Sequence, residues 1–264
     1  MFSVARNSGH VVGDQIIIKD NRLERLPRRN QLARQTSFAK EQVLAANIDL
    51  AAIVVAAHPK TPQTFLDQAL VAIQKEKIAA VIVVNKCDLP DFSVIHDELN
   101  HLYGSQIEIL CVSGKSKDGL VDLEQLIARR GRTVLMGVSG VGKSSLMNAL
   151  LPAANLATDS AKGNRSHGRH TTSASTLHHL PAGGELIDTP GLRDFKPVAF
   201  APLDVASYFV GFEDALAKPC RFHNCLHETE PGCVIKEAVA TGKINPERYA
   251  SYLALLQQVK GESR

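Results

Sequence analysis

Aromatic side chains are scarce in this chain of 264 residues, which has no tryptophan and only four tyrosines. Few residues can stack on exposed bases, so any nucleic-acid contact is expected to read backbone and shape. The net charge is only +3, which gives the whole chain no strong attraction for nucleic acid. The sequence has no apolar run long enough for a membrane helix and no recognisable secretory leader, which predicts a cytoplasmic protein without a membrane partner.

Cysteine is also sparse, but three of the five cysteines fall within fourteen residues, as Cys220, Cys225 and Cys233. In a reducing compartment such clustering favours a metal over disulfides. With His227 the three thiols fit a tetrahedral Cys₃His site, which predicts one structural zinc ion per chain. His223 is an alternative fourth ligand, and free surface thiols without a metal are the alternative to the whole site.

A glycine-rich loop lies in the middle of the chain, where Gly137 to Ser144 (GVSGVGKS) fits the phosphate-loop pattern G-x-x-x-x-G-K-[ST]. The flanking segments 132–136 and 144–151 are typical of a strand and a helix, the context that this motif requires. Loop amides and the helix N-terminus would hold the phosphates, while Lys143 would reach the β- and γ-phosphates and Ser144 would bind Mg²⁺. A glycine-rich turn without a ligand is the alternative. The predicted nucleotide contacts are Gly137, Ser139, Gly140, Val141, Gly142, Lys143, Ser144 and Ser145.

A magnesium site needs a second anchor, which the sequence Asp-Thr-Pro-Gly at positions 188–191 supplies after the apolar run 185–187. Asp188 would hold Mg²⁺ through water, and the Gly191 amide could sense the γ-phosphate. Thr171 and Thr172 are placed for the switch threonine that completes the metal shell, and Thr172 is the preferred candidate. The alternative is an ordinary turn, because Asp, Pro and Gly all favour turns.

Asn-Lys-Cys-Asp at positions 85–88 follows a continuous apolar run, 79–84, which is typical of a buried parallel strand. A carboxylate at Asp88 can accept the N1 proton and the exocyclic amine of guanine, a donor pair that adenine lacks. Ser-Gly-Lys at 113–115 follows the next strand-like run, 107–112, and would back the guanine O6. This pattern predicts GTP and GDP as ligands; the alternative is that Asp88 caps a helix. The predicted base contacts are Asn85, Lys86, Asp88, Ser113, Gly114 and Lys115, with Asn85 tying the loops together.

The two base-reading motifs come first in this chain, followed by the phosphate loop and then by the switch-one and switch-two segments. In ordinary Ras-like GTPases the phosphate and switch elements come first. A circular permutation explains this order, since domain termini often lie close together. Strands are predicted at 49–57, 79–84, 107–112, 133–136, 174–179 and 185–187, and helices at 64–77 and 118–130. Alternating strands and helices predict an α/β fold with a parallel-dominated sheet covered on both faces.

The chain resembles a known family, the circularly permuted small-ribosomal-subunit biogenesis GTPases of the RsgA or YjeQ type. The matching stretches are KEQVLAANID (40–49), NKCD, VSGK, GVSGVGKSSLMNALL, GRHTT (168–172), DTPGLRDF and CRFHNCLHETEPGC (220–233). The resemblance implies a slow GTPase, stimulated by the small (30S) subunit, that acts late in subunit maturation. It also implies an N-terminal OB-fold that contacts ribosomal RNA.

The resemblance predicts three segments: a partial OB-fold at 1–46, the permuted GTPase domain at 47–195, and a mainly α zinc-binding domain at 196–264. An OB-fold is a five-stranded barrel, but only one hairpin, Val11–Lys19 with Arg22–Pro27, is apparent before the first GTPase strand. The opening strands are missing from the pattern. An alternative function is therefore a GTP-dependent RNA-binding switch with negligible hydrolysis.

The sequence shows no glutamine to orient the attacking water, because Leu192 follows Asp-Thr-Pro-Gly at the position where Ras-like enzymes carry that residue. His170 in Gly-Arg-His-Thr-Thr is the nearest candidate, and the resemblance implies a catalytic role for it beside Lys143 and Thr172. A loop histidine that contacts RNA is the alternative. The protein is expected to be a monomer whose partners are the small subunit and its rRNA. Two basic clusters favour such contacts, Arg22, Arg25, Arg28, Arg29 and Arg34 near the N-terminus, and Lys162, Arg165 and Arg169 in the switch-one loop.

Overall fold

The structure is a computed structural model that describes residues 9–19, 22–35, 41–151, 175–188 and 200–262. Several residues with predicted switch, catalytic or RNA-contacting roles lie outside the described residues. These are Lys162, Arg165, Arg169, His170, Thr171, Thr172, Gly191 and Leu192. Their roles stay predictions.

The N-terminal segment forms two antiparallel hairpins. The predicted hairpin is confirmed, with β1 at Ile16–Lys19 paired to β2 at Arg22–Arg25. The first strand is shorter than expected because residues 11–14 form a turn, and the second ends at Arg25 rather than at Pro27. The second hairpin, β3 at Gln31–Gln35 with β4 at Glu41–Ala46, was not predicted. In the described part of this segment the strands pair two by two, and no closed five-stranded barrel is formed.

The central sheet has six strands within the described residues, in the order β7-β6-β5-β8-β10-β9. All neighbouring pairs are parallel except β9 with β10, which confirms the predicted parallel-dominated sheet. Nearly continuous apolar runs build its middle strands, as expected for strands buried on both faces. The strands are β5 Leu50–Val55, β6 Ala79–Val84, β7 Glu108–Cys111, β8 Arg132–Met136, β9 Thr176–His179 and β10 Glu185–Asp188.

Helices cover both faces of this sheet, as predicted. Along β5, residues 50, 52 and 54 face one hydrophobic cluster, and residues 51, 53 and 55 face the other. The first cluster includes apolar side chains of α3 (Leu120–Arg130) and α4 (Lys143–Leu150). The second includes those of α1 (Gln63–Lys75) and α2 (Phe92–Tyr103). The carboxyl ends of the parallel strands therefore share one open edge, where ligands bind in α/β proteins.

The C-terminal segment is mainly helical, as predicted, and packs on the α1 and α2 face of the sheet. It contains a 3₁₀ turn at Ala206–Tyr208, followed by α5 at Glu213–Leu216, α6 at Val234–Ala240 and α7 at Pro246–Glu262. The rings of Phe209, Phe212 and Tyr252 pack together, with centroids 4.8 to 5.4 Å apart. These rings join the same hydrophobic cluster as α1 and α2, so one core spans the two segments.

A buried ion pair crosses this contact. Arg248 of α7 donates from Nη1 to Oδ1 of Asp67 in α1 at 2.7 Å, and the hydroxyl of Tyr103 in α2 donates to the same oxygen at 2.9 Å. The side chain of Asp67 is only 1% exposed. Burial raises the pKa of Asp67, an effect that the charge of Arg248 opposes. The pair links α1, α2 and α7, and removing only one of its partners would leave a costly uncompensated charge in the core.

No helix among the described residues is both long and apolar enough to span a bilayer.

Replacing Tyr103 with Phe should lower the free energy of unfolding by about 1–3 kcal/mol, because a buried carboxylate oxygen loses a hydrogen-bond donor. Urea denaturation of the full chain measures this change. Tyr208→Phe is the matched control, since its ring is only partly buried, and it should shift stability by no more than about 0.5 kcal/mol. Equal losses in both variants would contradict the assignment.

Candidate functional site

The phosphate loop connects β8 to α4 at the open edge of the sheet. Gly137 and Gly142 adopt φ values of 147° and 95°, which favour glycine. A Cβ at Gly137 would lie 2.3 Å from the carbonyl oxygen of Val54, and one at Gly142 would lie 2.3 Å from Asn85 Nδ2. These close approaches explain why glycine occupies both ends of the loop. Helix α4 begins directly after Gly142, so its free amides point into the loop, an arrangement suited to binding phosphate.

Lys143 folds its side chain back over this loop. Its Nζ donates to the carbonyl oxygens of Gly137 and Val138, each at 2.7 Å. The ammonium group therefore lies inside the curve of the backbone, where a phosphate would find both a cation and amide donors. Val141 is fully buried and fixes the loop to the core, while Ser139 and Gly140 are exposed at its tip. Ser144 and Ser145 are partly buried in the first turn of α4.

Asn85 joins three loops with one side chain. Its Nδ2 donates to the carbonyl of Val141 in the phosphate loop at 2.8 Å, and its Oδ1 accepts from the amide of Gly114 at 3.1 Å. Asn85 is only 3% exposed, and its bond to Val141 is shielded from water. The base loop at 85–88, the phosphate loop and the Ser-Gly-Lys loop at 113–115 are thereby linked directly.

Lys86 links the same loops from the solvent side. Its Nζ donates to the carbonyl oxygens of Gly140 at 2.8 Å and of His58 at 2.6 Å. The backbone of Lys86 has a φ of 66°, which is uncommon for a residue with a side chain. The stem of the lysine therefore runs from the base loop to the phosphate loop, where a purine between the two would lie against it.

Ser113 positions the carboxylate of Asp88. The Ser113 hydroxyl donates to Asp88 Oδ1 at 2.6 Å, and it accepts from the amides of Lys115 and Ser116 at 3.1 and 3.0 Å. The hydrogen bond from Ser113 lowers the pKa of Asp88, so the exposed carboxylate is ionised and can accept two hydrogen bonds from a base edge. The helix-cap alternative is wrong, because α2 begins at Phe92 after Asp91.

Asp188 is the last residue of β10, which pairs in parallel with β8, the strand that leads into the phosphate loop. In the sheet, β10 lies on one side of β8, and β6, which leads into the base loop, lies on the other. Its side chain is partly exposed at the same edge of the sheet. This position fits an anchor for a cation bound to phosphates at the loop.

The four predicted metal ligands come together in the C-terminal segment. The ligand atoms of Cys220, Cys225, His227 and Cys233 all lie within 4.8 Å of one another, and the last three residues are buried. His227 Nδ1 lies 3.5 Å from Cys220 Sγ and 3.3 Å from Cys233 Sγ. Ligands of a tetrahedral zinc site with bonds of about 2.0–2.3 Å are separated by about 3.3–3.8 Å, so the cluster can hold a metal ion. His223 is exposed and does not join the cluster.

Glu230 shapes the backbone that presents His227. Its carboxylate accepts from the amides of Leu226, Glu228 and Thr229 at 2.8 to 3.0 Å. Although burial opposes the shift, these hydrogen bonds lower the pKa of Glu230 to about 2. The carboxylate is therefore ionised, and able to accept all three hydrogen bonds, at physiological pH.

Comparisons with known proteins agree with the geometry. A family model described as RsgA GTPase matches residues 25–197. The chain belongs to the RsgA GTPase family.

Alignments with named members of this family extend over most of the chain. A protein from Actinobacillus pleuropneumoniae serotype 5b (strain L20), named small ribosomal subunit biogenesis GTPase RsgA, is 38% identical over 234 residues, which are 88% of this chain and 67% of that protein. A protein of the same name from Chlorobaculum parvum is 36% identical over 245 residues, or 92% of this chain and 78% of that protein.

Solved structures give the same assignment. YjeQ from Thermotoga maritima matches with a TM-score of 0.76 and 30% identity, covering 97% of this chain and 86% of that one. YloQ, described as a circularly permuted GTPase, matches with a TM-score of 0.71 and 26% identity, covering 97% and 83%. The circularly permuted fold predicted from motif order is therefore confirmed.

The RsgA-type motifs do not include the loop after β5, and sequence reasoning missed its role. The His58 carbonyl accepts from Lys86, and the Pro59 ring would lie 3.2 Å from a Cβ at Gly140. Its place in the chain could have indicated this contact, because the loop begins at the carboxyl end of a parallel strand, at the same edge of the sheet as the phosphate loop.

The N-terminal basic cluster is partly committed to internal contacts. Arg28 pairs with Asp14 at 2.7 Å, and both side chains are largely buried. Arg29 pairs with Asp49 at 2.7 Å in a more exposed contact. Fewer of these arginines are therefore available to phosphate groups than the sequence suggests.

Metal affinity at the cysteine cluster should fall as pH falls. Burial raises the pKa of Cys225 to about 12 and also raises the pKa of Cys233, so both are thiols at neutral pH and must release protons to a cation. Affinity should drop about tenfold per pH unit for each proton displaced. Competition for zinc with a chromophoric chelator at two pH values measures the slope.

The control for this experiment is Cys111→Ser, which lies outside the cluster and should keep the wild-type slope. Cys225→Ser should weaken binding and reduce the slope by one proton. A pH-independent affinity would rule out thiols as the ligands.

Proposed function

We propose that this protein binds and hydrolyses GTP and assists late maturation of the small (30S) ribosomal subunit. The observation that carries the proposal is the double link of Asn85 and Lys86 between the base loop and the phosphate loop. In a chain of the RsgA GTPase family, this link would hold a guanine and its phosphates at a fixed separation. Named relatives are small ribosomal subunit biogenesis GTPases, which supports the choice of partner.

The site residues would divide the work as follows. Asp88 would accept hydrogen bonds from guanine N1 and the exocyclic amine, with Lys86 along the base plane. The amides of the phosphate loop and Lys143 would hold the β- and γ-phosphates. When bound, Mg²⁺ would neutralise charge on the phosphates, and Ser144, Asp188 and Thr172 would hold it. The Gly191 amide would sense the γ-phosphate.

We propose zinc as the resident metal of the C-terminal cluster. Three thiolates and one imidazole are soft and borderline ligands, which select zinc over magnesium or calcium. A closed site of four protein ligands is structural rather than catalytic. In this proposal the ion would stabilise the C-terminal segment, 196–264, as a docking unit beside the GTPase domain, 47–195.

The proposed partner is the small subunit with its rRNA, engaged by a monomer in the cytoplasm. The alternative is a GTP-dependent RNA-binding switch with negligible hydrolysis. It is favoured by Leu192, which stands in place of the water-orienting switch-two glutamine. GTP turnover measured with and without purified small subunits separates the two. Stimulation by subunits supports the main proposal, and an absence of turnover in both conditions supports the alternative.

Exchanging Asp88 for Asn should shift the preference from guanine to xanthine nucleotides. An amide can donate to the xanthine 2-oxo group but cannot accept from both guanine donors. Loss of one charged hydrogen-bond acceptor should weaken GDP binding by about tenfold or more. Competition of GDP and XDP for a fluorescent nucleotide measures the change. An unaltered preference would show that Asp88 does not read the base.

Exchanging Lys143 for Ala should weaken GTP binding by at least about tenfold, because a charged hydrogen bond to the phosphates is lost. Lys218→Ala is the matched control, because this exposed lysine of the C-terminal segment is not among the predicted nucleotide contacts. Calorimetric titration of both variants with a non-hydrolysable GTP analogue measures the difference. Equal affinities in the two variants would contradict the proposed phosphate site.

Exchanging His170 for Ala should leave nucleotide affinity unchanged and reduce subunit-stimulated turnover by about a hundredfold, if the imidazole orients or deprotonates the attacking water. Turnover at saturating GTP and saturating small subunits is the measurement. His179→Ala, an exposed histidine of β9, is the control. An unchanged stimulated rate in the His170 variant removes that residue from catalysis.

A further inference from the structure

Helix α7 contacts the backbone of the metal cluster through two tyrosines. The Tyr249 hydroxyl donates to the carbonyl of His227 at 2.6 Å, and the Tyr252 hydroxyl donates to the carbonyl of Leu226 at 2.8 Å. Tyr252 is fully buried, and Tyr249 is partly buried. Both acceptors belong to the segment that presents the imidazole ligand. A metal ion that fixes this segment would therefore fix the first half of α7 as well.

The same half of α7 reaches the nucleotide-binding half of the molecule through Arg248. The guanidinium lies between the rings of Tyr103 and Phe209, at 4.3 and 4.4 Å from their centroids, and is bonded to Asp67. Its Nη2 also donates to the carbonyl of Val210 at 3.3 Å. Arg248 is only 6% exposed, so its position is set by contacts to α1, α2 and the C-terminal segment at once.

Asp67 lies one turn into α1, and α1 itself follows directly after the loop 56–62 that contacts Lys86 and Gly140. That loop supplies the His58 carbonyl, which accepts from Lys86 at 2.6 Å, and Pro59, which packs on Gly140. A shift at the start of α1 would move both contacts. Arg248 is thus separated from the phosphate loop by one turn of helix and one short loop.

We propose that Arg248 is a positioning residue for the nucleotide site, through which metal binding at the C-terminal cluster strengthens nucleotide binding. The inference rests on the nucleotide site proposed above. Adjacent contacts alone do not establish coupling, which requires that both ligands favour one arrangement of a shared element. Here the shared element is the α1–α7 contact, and its buried ion pair would favour one register of the two helices.

The test measures GDP affinity of the full chain with zinc and after chelation. In the wild type, chelation should weaken GDP binding about tenfold, within the roughly 5–150-fold range of ordinary coupling between sites. In the double variant Arg248→Met/Asp67→Asn, which leaves no unpaired buried charge, GDP binding should be weaker with zinc present. Chelation should then change it by less than about twofold. Arg248→Lys should retain only part of the coupling, because an ammonium group cannot stack as a planar guanidinium does between the rings of Tyr103 and Phe209.

Arg130→Met is the matched control, because this exposed arginine of α3 lies on the opposite face of the sheet and should leave the metal effect intact. Hydrogen exchange of backbone amides in α1 and residues 56–62 gives a readout that needs no nucleotide. Chelation should speed this exchange in the wild type, whereas the double variant should exchange fast with or without zinc.

Two results would overturn the proposal. One is a double variant in which chelation weakens GDP binding as much as in the wild type. The other is a wild type in which chelation changes neither the GDP affinity nor the amide exchange rates. A zinc-loaded wild type that binds no GDP would refute the proposed function instead. In that case the exchange experiment decides on Arg248, since unchanged exchange after chelation would rule out the link.

Discussion

The candidate nucleotide site depends on one buried amide side chain. Asn85 directly follows β6 and bonds to the backbone of Val141 and of Gly114, in two loops that are distant from it in the sequence. Both of its partners are backbone groups. Losing the amide would leave a buried carbonyl and a partly buried N–H unsatisfied, at about 1–3 kcal/mol each. The arrangement makes three separate sheet-edge loops behave as one surface, and Lys86 adds a second link from the solvent side.

The circular permutation leaves this surface intact because the sheet sets the geometry. Parallel strands present their carboxyl ends at one edge, so the order in which the chain visits them does not change which loops meet there. What the permutation changes is the attachment of the flanking segments. The C-terminal segment follows the switch regions in sequence and packs on α1 and α2, where Arg248 and Asp67 form a buried pair. A domain that would dock on a partner is thus joined to the helices that carry the base loop and the loop after β5.

Sequence reasoning succeeded where a motif and its strand context agree. The strands before Asn85 and Gly137, and the cluster around His227, lie where their patterns predict, because burial and ligand chemistry constrain local sequence tightly. It missed the β3–β4 hairpin, whose strands are short and only partly buried. It also missed the Arg248–Asp67 pair, since a charged residue in an amphipathic helix is ordinarily read as exposed. Contacts between residues separated by 181 positions leave no local pattern.

The central claim is that the three joined loops form a guanine-nucleotide site, and competition binding tests it most directly. A fluorescent GDP analogue bound to the full chain would be displaced with GTP, GDP and ATP. A site that hydrogen-bonds the base edge should discriminate by about 10⁴-fold, because adenine offers no donor pair to Asp88 and both hydrogen bonds are lost. The account predicts displacement by GTP and GDP, and none by ATP at a thousandfold higher concentration. Displacement by ATP and GTP at similar concentrations would contradict it.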